Sequence, residues 1–244
     1  MTRPDSAIGD RSLPLLLSFA TAFVDVVCFL GLYRTFVSFI SGSVIMIGVD
    51  IAHETDAGIS FNDSTVPIKV FVVLSFLGCL ALWVPLVRRL RGWPWLRPAL
   101  LAAEAVLLAG LTVGGWAATP FTGPEEPATL AIAFVAVLAM SLQTATLTFL
   151  QLGKVPTALS SGHLIQFVLV SLETRRSGRR GEGLARAGHA AIHMLALLGF
   201  LAGGVAGAFG FVAYGFLALA CPTALVLVAA LLSLRKRPLA APGS

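Results

Sequence analysis

The sequence predicts an all-α membrane protein with six transmembrane helices and two re-entrant half-helix segments, arranged as a 3+3 inverted repeat. Hydrophobic residues make up 57% of the 244 residues and charged residues only 12%. Soluble domains are about 45–50% apolar and about 25% charged, so this chain could not cover a water-facing surface. A short glycine motif also occurs twice, as Ser41-Gly42-Ser43 and as Ser161-Gly162-His163.

The surroundings of the two motifs match at a fixed spacing of 120 residues (163 − 43 = 120). At that spacing Phe29-Leu30 aligns with Phe149-Leu150, and Arg34 aligns with Lys154. In each copy a long apolar segment and a basic residue precede the motif, and a shorter apolar arm follows. A weak internal repeat in an apolar chain is typical of membrane proteins with duplicated architecture.

The apolar segments predict the elements of each repeat, because about 20 apolar residues cross a bilayer. The predicted spans are residues 13–33, 68–87, 98–118, 128–150, 189–210 and 211–234. The two shorter arms with the glycine motifs are residues 36–52 and 156–172. We therefore expect a disordered cytoplasmic N-terminus (1–12), one membrane domain (13–234, with repeat one at 13–118 and repeat two at 128–234) and a basic cytoplasmic tail (235–244).

The first apolar segment has a second interpretation. Its first half, followed by Ala20-Thr21-Ala22, could mimic a signal peptide with its cleavage site. The segment continues apolar through Leu32 and has a repeat partner downstream. Both features favour a retained first helix.

The charges of the loops decide between two topologies. If both arms cross the bilayer, the chain has eight helices, and the basic loop 88–97 lies outside while the acidic loop 53–67 lies inside. That arrangement opposes the preference of Lys and Arg for cytoplasmic loops. If both arms dip in and return, six spans remain, and the basic loops 88–97 and 175–186 are cytoplasmic. We therefore predict a multi-pass protein of the bacterial inner (cytoplasmic) membrane with both termini cytoplasmic. Three spans per repeat then require the second repeat to be inverted.

The two arms are expected to meet near the middle of the bilayer. Residues 44–52 as a helix would rise roughly 13 Å, close to half of a hydrocarbon core about 30 Å thick. Non-helical backbone at that depth needs protein or a water-filled cavity to satisfy its polar groups, so two converging breaks suggest a central site. The motif serines are expected to cap the following half-helix, whose positive end favours an anion or a polar solute. Alternatively, Gly42 and Gly162 merely permit close packing.

Polar residues inside the predicted spans add candidates for this site. Asp25 lies in mid-span, where a carboxylate is costly and functional by default; the alternatives are a structural hydrogen bond or an ion pair with Arg34. Gln143 lies beside a polar stripe of the fourth span. His163 could titrate or donate to a solute, or be a buried neutral histidine. The candidate solute-binding residues are Asp25, Ser41, Gly42, Ser43, Gln143, Ser161, Gly162 and His163.

Other notable residues are interpreted as structural. Glu104, about two turns into the third span, is expected to pair with a nearby arginine. Gly199, Gly203 and Gly207 have the GxxxG spacing of tight helix contacts, within the bundle or in a dimer. The three cysteines have no CxxC or Cys/His spacing and are interpreted as small buried hydrophobes; they are Cys28, Cys79 and Cys221.

The sequence resembles the YoaK-like bacterial membrane proteins, a family of unknown function, over nearly its whole length. The stretches that carry the resemblance are Val24-Asp25, Phe29-Leu30-Gly31, Ser41-Gly42-Ser43, Ala139-Met140-Ser141-Leu142-Gln143-Thr144 and Ser161-Gly162. Family members more often have Thr-Gly-Asn at the first motif, so Ser41 and Ser43 depart from that pattern. The resemblance supplies no activity.

The predicted function is a small permease or channel for a polar or anionic small solute, with proton coupling through Asp25. The alternative is a non-transporting membrane scaffold or regulatory protein. No HExxH, GxSxG or paired-carboxylate motif appears, so we expect no enzyme, metal site or cofactor. Basic residues stand in short runs beside apolar segments, so nucleic acid is not an expected partner. The expected partners are the lipid bilayer, the solute and a second copy of the chain in a homo-oligomer.

Overall fold

Regular structure in the chain is helical wherever the structure, a computed structural model, describes it: residues 5–58, 64–90, 92–149 and 180–235. The α-helices are α1 (Asp5–Gly31), α2 (Ile40–Ala57), α3 (Val66–Arg89), α4 (Leu96–Ala118), α5 (Pro127–Phe149), α6 (Arg180–Tyr214) and α7 (Ala220–Arg235). A short 3-10 helix, Gly215–Leu219, joins the last two. The all-α class is therefore confirmed for this part of the chain.

Several of these helices are apolar enough for a bilayer. Four stretches have the length and composition to cross one: Val66–Arg89, Leu96–Ala118, Pro127–Thr148 and the 41-residue stretch Met194–Leu234. Leu15–Gly31 is a shorter apolar helix. Large apolar side chains cover the outside of the bundle, with Val212 82% exposed and Leu82 72% exposed. Extended apolar surface of this kind suits lipid and not water, so the chain is a membrane protein.

Several helix boundaries differ from the predicted ones. α6 begins at Arg180, nine residues before the predicted start at residue 189 and inside the predicted basic loop. α1 begins at Asp5, before the predicted start at residue 13. α2 begins at Ile40, four residues after the predicted start of the first arm, and continues to Ala57 inside the predicted acidic loop. The chain breaks between α6 and α7 at Gly215, which has a φ of 57°, and not at residue 210. The second arm lies outside the described residues.

α5 lies at the centre of the bundle, and 67% of its apolar 18-residue stretch is buried. It packs against α3 and α4 and also touches α1. Small and medium side chains such as Ala133, Ala136 and Val137 are fully buried there, which lets the neighbouring helices approach closely. α4 also packs against α7, where the Thr112 and Thr223 hydroxyls lie 3.4 Å apart.

α1 and α6 pack with their backbones almost in contact. The contacting pairs are Gly199 with Leu15, Gly203 with Phe19, and Gly207 with Phe23. Each pair lies four residues after the last on both helices, so the two helices run parallel. A Cβ at any of the three glycines would come within 3.0 Å of backbone atoms of α1. The predicted small-residue contact within the bundle is thus confirmed.

Adding a methyl group at Gly203 is expected to push α1 and α6 apart, since the atom that it meets is the rigid Phe19 carbonyl oxygen. We expect Gly203→Ala to lower the free energy of unfolding by about 1–3 kcal/mol. Gly204→Ala is the matched control, because a Cβ there meets only Val26 at 3.8 Å. Thermal unfolding of both variants in detergent checks this, and equal unfolding midpoints would contradict it.

Candidate functional site at the start of α2

The chain turns sharply after α1. Tyr33 and Arg34 both have positive φ angles, 50° and 57°, a left-handed conformation that is uncommon for residues other than glycine. The Tyr33–Arg34 corner sends residues 35–39 back alongside α1. As a result, the start of α2 meets the middle of α1 and not its end.

Asp25 of α1 accepts hydrogen bonds from the segment that follows the corner. Its Oδ1 accepts hydrogen bonds from the backbone N–H groups of Val37 and Ser38, each 2.8 Å long. Its Oδ2 accepts from the Phe39 N–H at 3.0 Å and from the Ser38 hydroxyl. Asp25 is only 3% exposed. A buried carboxylate therefore takes the N–H groups that precede α2 and faces the positive end of that helix.

This geometry decides between the two structural alternatives for Asp25. The structural hydrogen bond is the one observed, while Arg34 is exposed and makes no salt bridge with Asp25. Asp25 lies six residues before the end of α1, which corresponds to roughly 9 Å of helix. The irregular backbone of residues 35–39 is thus satisfied well inside the bundle, as backbone at membrane depth must be.

The serines of the first motif have a different role from the predicted capping. Because α2 begins at Ile40, the motif lies inside its first turn, and no side chain caps the helix from the Phe39 position. The buried Ser43 hydroxyl instead accepts from the Phe36 N–H at 3.1 Å and donates to the Phe36 carbonyl at 2.7 Å. Ser41 is exposed. Capping by the serines is therefore wrong for this arm, because the N–H groups of Ile40, Gly42 and Ser43 donate to the Ser38 and Phe39 carbonyls instead.

Gly42 leaves space for a cluster of three phenylalanine rings. The rings of Phe29 and Phe36 stack at 4.6 Å, and Phe39 meets Phe36 edge-on at 5.6 Å. A Cβ on Gly42 would come within 3.0 Å of ring carbons of Phe39. The glycine thus permits the three rings to close over the loop that Asp25 holds.

Gln143 joins α5 to α1 one turn away from Asp25. Its Nε2 donates to the Leu17 carbonyl at 3.0 Å, and its Oε1 accepts from the Thr21 hydroxyl at 2.9 Å. Gln143 is buried and shares no hydrogen bond with Asp25. The structure therefore brings Asp25, Gly42 and Ser43 together and places Gln143 nearby. Ser161, Gly162 and His163 lie outside the described residues.

A second polar cluster was missed by the sequence analysis. Lys69 of α3 is fully buried and forms a 2.6 Å salt bridge with Asp50 of α2. Its ammonium also donates to the Tyr33 carbonyl at 2.8 Å and to the Thr65 hydroxyl at 3.1 Å. The cluster ties α2 and α3 to the Tyr33–Arg34 corner. The sequence did contain a signal for this cluster. Lys69 is a lone lysine inside a predicted span, and an acidic pair four residues apart, Asp50 and Glu54, precedes that span.

Glu54 extends this cluster toward solvent. It accepts from the Ser64 hydroxyl at 2.5 Å and from the Thr65 N–H at 2.8 Å. The Ser64 hydrogen bond, with smaller help from Thr65, holds the pKa of Glu54 below its ordinary value. A lowered pKa means that the contribution of Glu54 to stability is present above its unfolded-state pKa and is lost as the pH falls.

The contacts define the path of the first arm. α2 starts level with Asp25, and its residue Asp50 reaches the level of Tyr33 through Lys69. α2 therefore packs against α3, and Lys69 joins its residue Asp50 to the Tyr33 carbonyl.

Neither of the two best-formed cavities in the described part of the chain reaches this arm. One is a groove beside α3 lined by Cys79, Leu82, Trp83, Leu86 and Leu138. The other lies between α1 and α6, and its lining is apolar as well. Asp25 itself is buried.

Comparison with known proteins identifies a family and no activity. No curated protein and no solved structure matches the chain. A family model described as a protein of unknown function (DUF1275) matches residues 13–232, which is nearly the whole of the predicted membrane domain. The chain therefore belongs to the DUF1275 family, an uncharacterised protein family.

Proposed function

We propose that this protein is a small permease or channel for a polar solute, with two Ser-Gly arms that re-enter the bilayer from opposite sides. The observation that carries the proposal is the start of α2 beside Asp25, roughly 9 Å inside α1. Half-helices that begin inside the membrane, with their backbone satisfied by buried side chains, are the elements that build transporter binding sites.

The helix contacts support an inverted repeat. If the second repeat copies the first, α5 corresponds to α1, α6 to α3 and α7 to α4. The contact of α1 with α6 then corresponds to the contact of α5 with α3. The contact of α4 with α5 corresponds to the contact of α7 with α1. α4 packs on its own counterpart, α7. All of these contacts are present. A two-fold axis in the membrane plane would produce this set of pairs.

Chain lengths support six crossings. The stretch Met194–Leu234 has 41 residues, about twice what one crossing needs, and it is interrupted at Gly215. Counting it twice, together with three single spans and the helix Leu15–Gly31, gives six. Both ends of the chain would then lie on the cytoplasmic side of the inner membrane, where its basic loops belong.

Cysteine labelling tests this topology. In a Cys221→Ser background, which removes the exposed native thiol, we expect Glu125→Cys to react with an impermeant maleimide outside intact cells. Gly92→Cys should react only after the cells are opened. Both positions are exposed, and a Cβ at Gly92 meets nothing within 4 Å. Labelling of Gly92→Cys from outside would contradict the six-span arrangement.

The anionic class of solute receives less support from the first arm. Positive half-helix ends favour an anion, but Asp25 already accepts from the N–H groups in front of α2. An anion at this arm would compete with a carboxylate of the protein. A neutral or zwitterionic solute suits the first arm better, and the anionic class depends on the second motif.

Uptake by the full-length protein in liposomes tests transport itself. We would compare radiolabelled glycerol, glycine and succinate, which represent neutral, zwitterionic and anionic polar solutes. Transport predicts uptake of at least one of them above the rate of protein-free liposomes. The same uptake should be reduced with Gly42→Ala and retained with Gly48→Ala. Failure of all three solutes would favour the non-transporting alternative.

One observation favours that alternative, a membrane scaffold or regulatory protein. The carboxylate of Asp25 is buried and accepts four hydrogen bonds from residues 37–39, and the rings of Phe29, Phe36 and Phe39 pack together in the same part of the chain. A dry, packed interior serves a scaffold as well as a rigid half of a transporter. The liposome measurement separates the two functions.

A further inference from the structure

Glu104 is a buried carboxylate without a partner among the residues that the structure describes. It lies in α4, eight residues after Leu96 and so roughly 12 Å from the start of that helix. Its exposed fraction is 0%, and neither Oε1 nor Oε2 has a hydrogen-bond partner in the described part of the chain. The predicted pairing of Glu104 with an arginine is therefore wrong.

The helices around Glu104 offer it no positive charge at its own level. Gly114 of α4 lies against Ile132 of the antiparallel α5, so Glu104 lies level with Leu142 (114 − 104 = 10; 132 + 10 = 142). α5 has no titratable residue along its length. Leu142 and Ala145 of α5 pack in an apolar cluster with Leu100, one turn from Glu104.

The other neighbours are also apolar at this level. α7 runs antiparallel to α4 from the Thr112–Thr223 contact, and its buried residues beyond that contact are Val226, Ala229 and Ala230. The 3-10 helix Gly215–Leu219 has no titratable residue. The titratable residues of α4, α7 and the neighbouring α3 lie elsewhere along these helices; they are Arg97 on α4, Cys221 and Arg235 on α7, and Lys69, Cys79, Arg88 and Arg89 on α3.

These surroundings determine the protonation state of the Glu104 carboxyl group. An ionised carboxylate buried without a partner costs far more than a protein can tolerate, and such a group takes up a proton instead. A metal cation would need several oxygen ligands around it, and no group of three or more His, Cys, Asp or Glu residues that could hold one occurs in the described part of the chain. A proton is the one cation that needs no further ligand.

We propose that Glu104 is a proton-binding carboxyl group in the interior of the bundle, held as the neutral acid at neutral pH. Asp25 is the contrasting case, because four hydrogen-bond donors surround its two oxygens and stabilise the ionised form. The proton coupling first assigned to Asp25 is therefore reassigned to Glu104. The buried indole N–H of Trp83, also without a partner, packs against the same apolar clusters as Leu107, three residues after Glu104.

Infrared spectroscopy of the full-length protein in a detergent without carbonyl groups tests the site without any transport assay. We expect the carbonyl stretch of a protonated carboxylic acid at neutral pH, shifted in heavy water. Glu104→Gln should remove this band, while Glu104→Asp and Asp25→Asn should retain it. The proposal is overturned if the wild-type protein shows no acid band, or if the band survives Glu104→Gln.

Two further measurements keep the test decisive if a variant folds poorly. Dicyclohexylcarbodiimide reacts with protonated carboxyl groups in apolar surroundings, and mass spectrometry of the wild-type protein should find the adduct on Glu104 and not on Asp25. Labelling should decrease as the pH rises. An adduct on Asp25 instead, or none on Glu104, would overturn the assignment. Glu104→Gln should also keep the wild-type thermal unfolding midpoint, since a neutral acid and an amide have the same shape.

The protonation of Glu104 stands apart from the proposed transport function, and its coupling to uptake rests on that function. With the infrared band present and no solute taken up, the proton site stands and the permease proposal fails. With uptake present, loss of its dependence on an imposed pH gradient in Glu104→Gln would assign the coupling to Glu104, and an unchanged dependence would remove Glu104 from the coupling.

Discussion

Replacing Asp25 with alanine is expected to abolish the folded protein. The substitution leaves the N–H groups of Val37, Ser38 and Phe39 and the Ser38 hydroxyl without their acceptor. A buried donor that loses its partner costs about 1–3 kcal/mol, so three backbone groups alone cost roughly 3–9 kcal/mol. The whole stability of a typical domain is about 5–15 kcal/mol. We expect no monodisperse protein in detergent at room temperature.

Asparagine at this position should give an intermediate result. One amide oxygen can replace Oδ1 and keep the Val37 and Ser38 hydrogen bonds. The amide NH₂ would then face the Phe39 N–H, a donor against a donor. We expect a folded protein with a clearly lower thermal unfolding midpoint, which intrinsic fluorescence in detergent would record.

Ser18 provides the control for both variants, because it lies on the same helix and is equally buried. Its hydroxyl has no hydrogen-bond partner, so Ser18→Ala removes a polar atom without leaving a donor unpaired. We expect its unfolding midpoint to equal or exceed that of the wild-type protein. If Asp25→Ala and Ser18→Ala behaved alike, the hydrogen bonds of Asp25 would contribute nothing to folding.

The sequence was sufficient to predict the features that depend on side-chain type along the chain. Apolar length predicted membrane helices, and the spacing of Gly199, Gly203 and Gly207 predicted the tight contact that they make with α1. The mid-span position of Asp25 identified it as exceptional. Each of these signals is local, because cost in lipid and steric size belong to the residue itself.

The partners of polar side chains could not be predicted in the same way. Asp25 binds backbone N–H groups 12 to 14 residues further on, and every sequence has such groups, so nothing marks them. Lys69 fell inside the predicted span 68–87 without being singled out, whereas the structure pairs it with Asp50. Glu104 was assigned an arginine that its buried position does not reach.

The last prediction concerns Gly42, where a bulky side chain is expected to disrupt the loop of residues 35–39 that Asp25 holds. A Cβ at Gly42 would come within 3.0 Å of the Phe39 ring, so Gly42→Ala should cost about 1–3 kcal/mol through overpacking. A leucine would have to displace the rings of Phe36 and Phe39, and with them the backbone that hydrogen-bonds Asp25. We therefore expect Gly42→Leu to behave like Asp25→Ala in detergent.

Gly48, on the same helix, separates this effect from a general destabilisation of α2 by leucine. It is exposed, and a Cβ there meets nothing within 4 Å. Gly48→Leu should therefore fold normally and gain up to about 1 kcal/mol, because glycine is a poor helix former. Size-exclusion chromatography and thermal unfolding of the two leucine variants measure the difference. Equal behaviour would show that the ring packing around Gly42 is dispensable, and that the position of residues 37–39 does not depend on it.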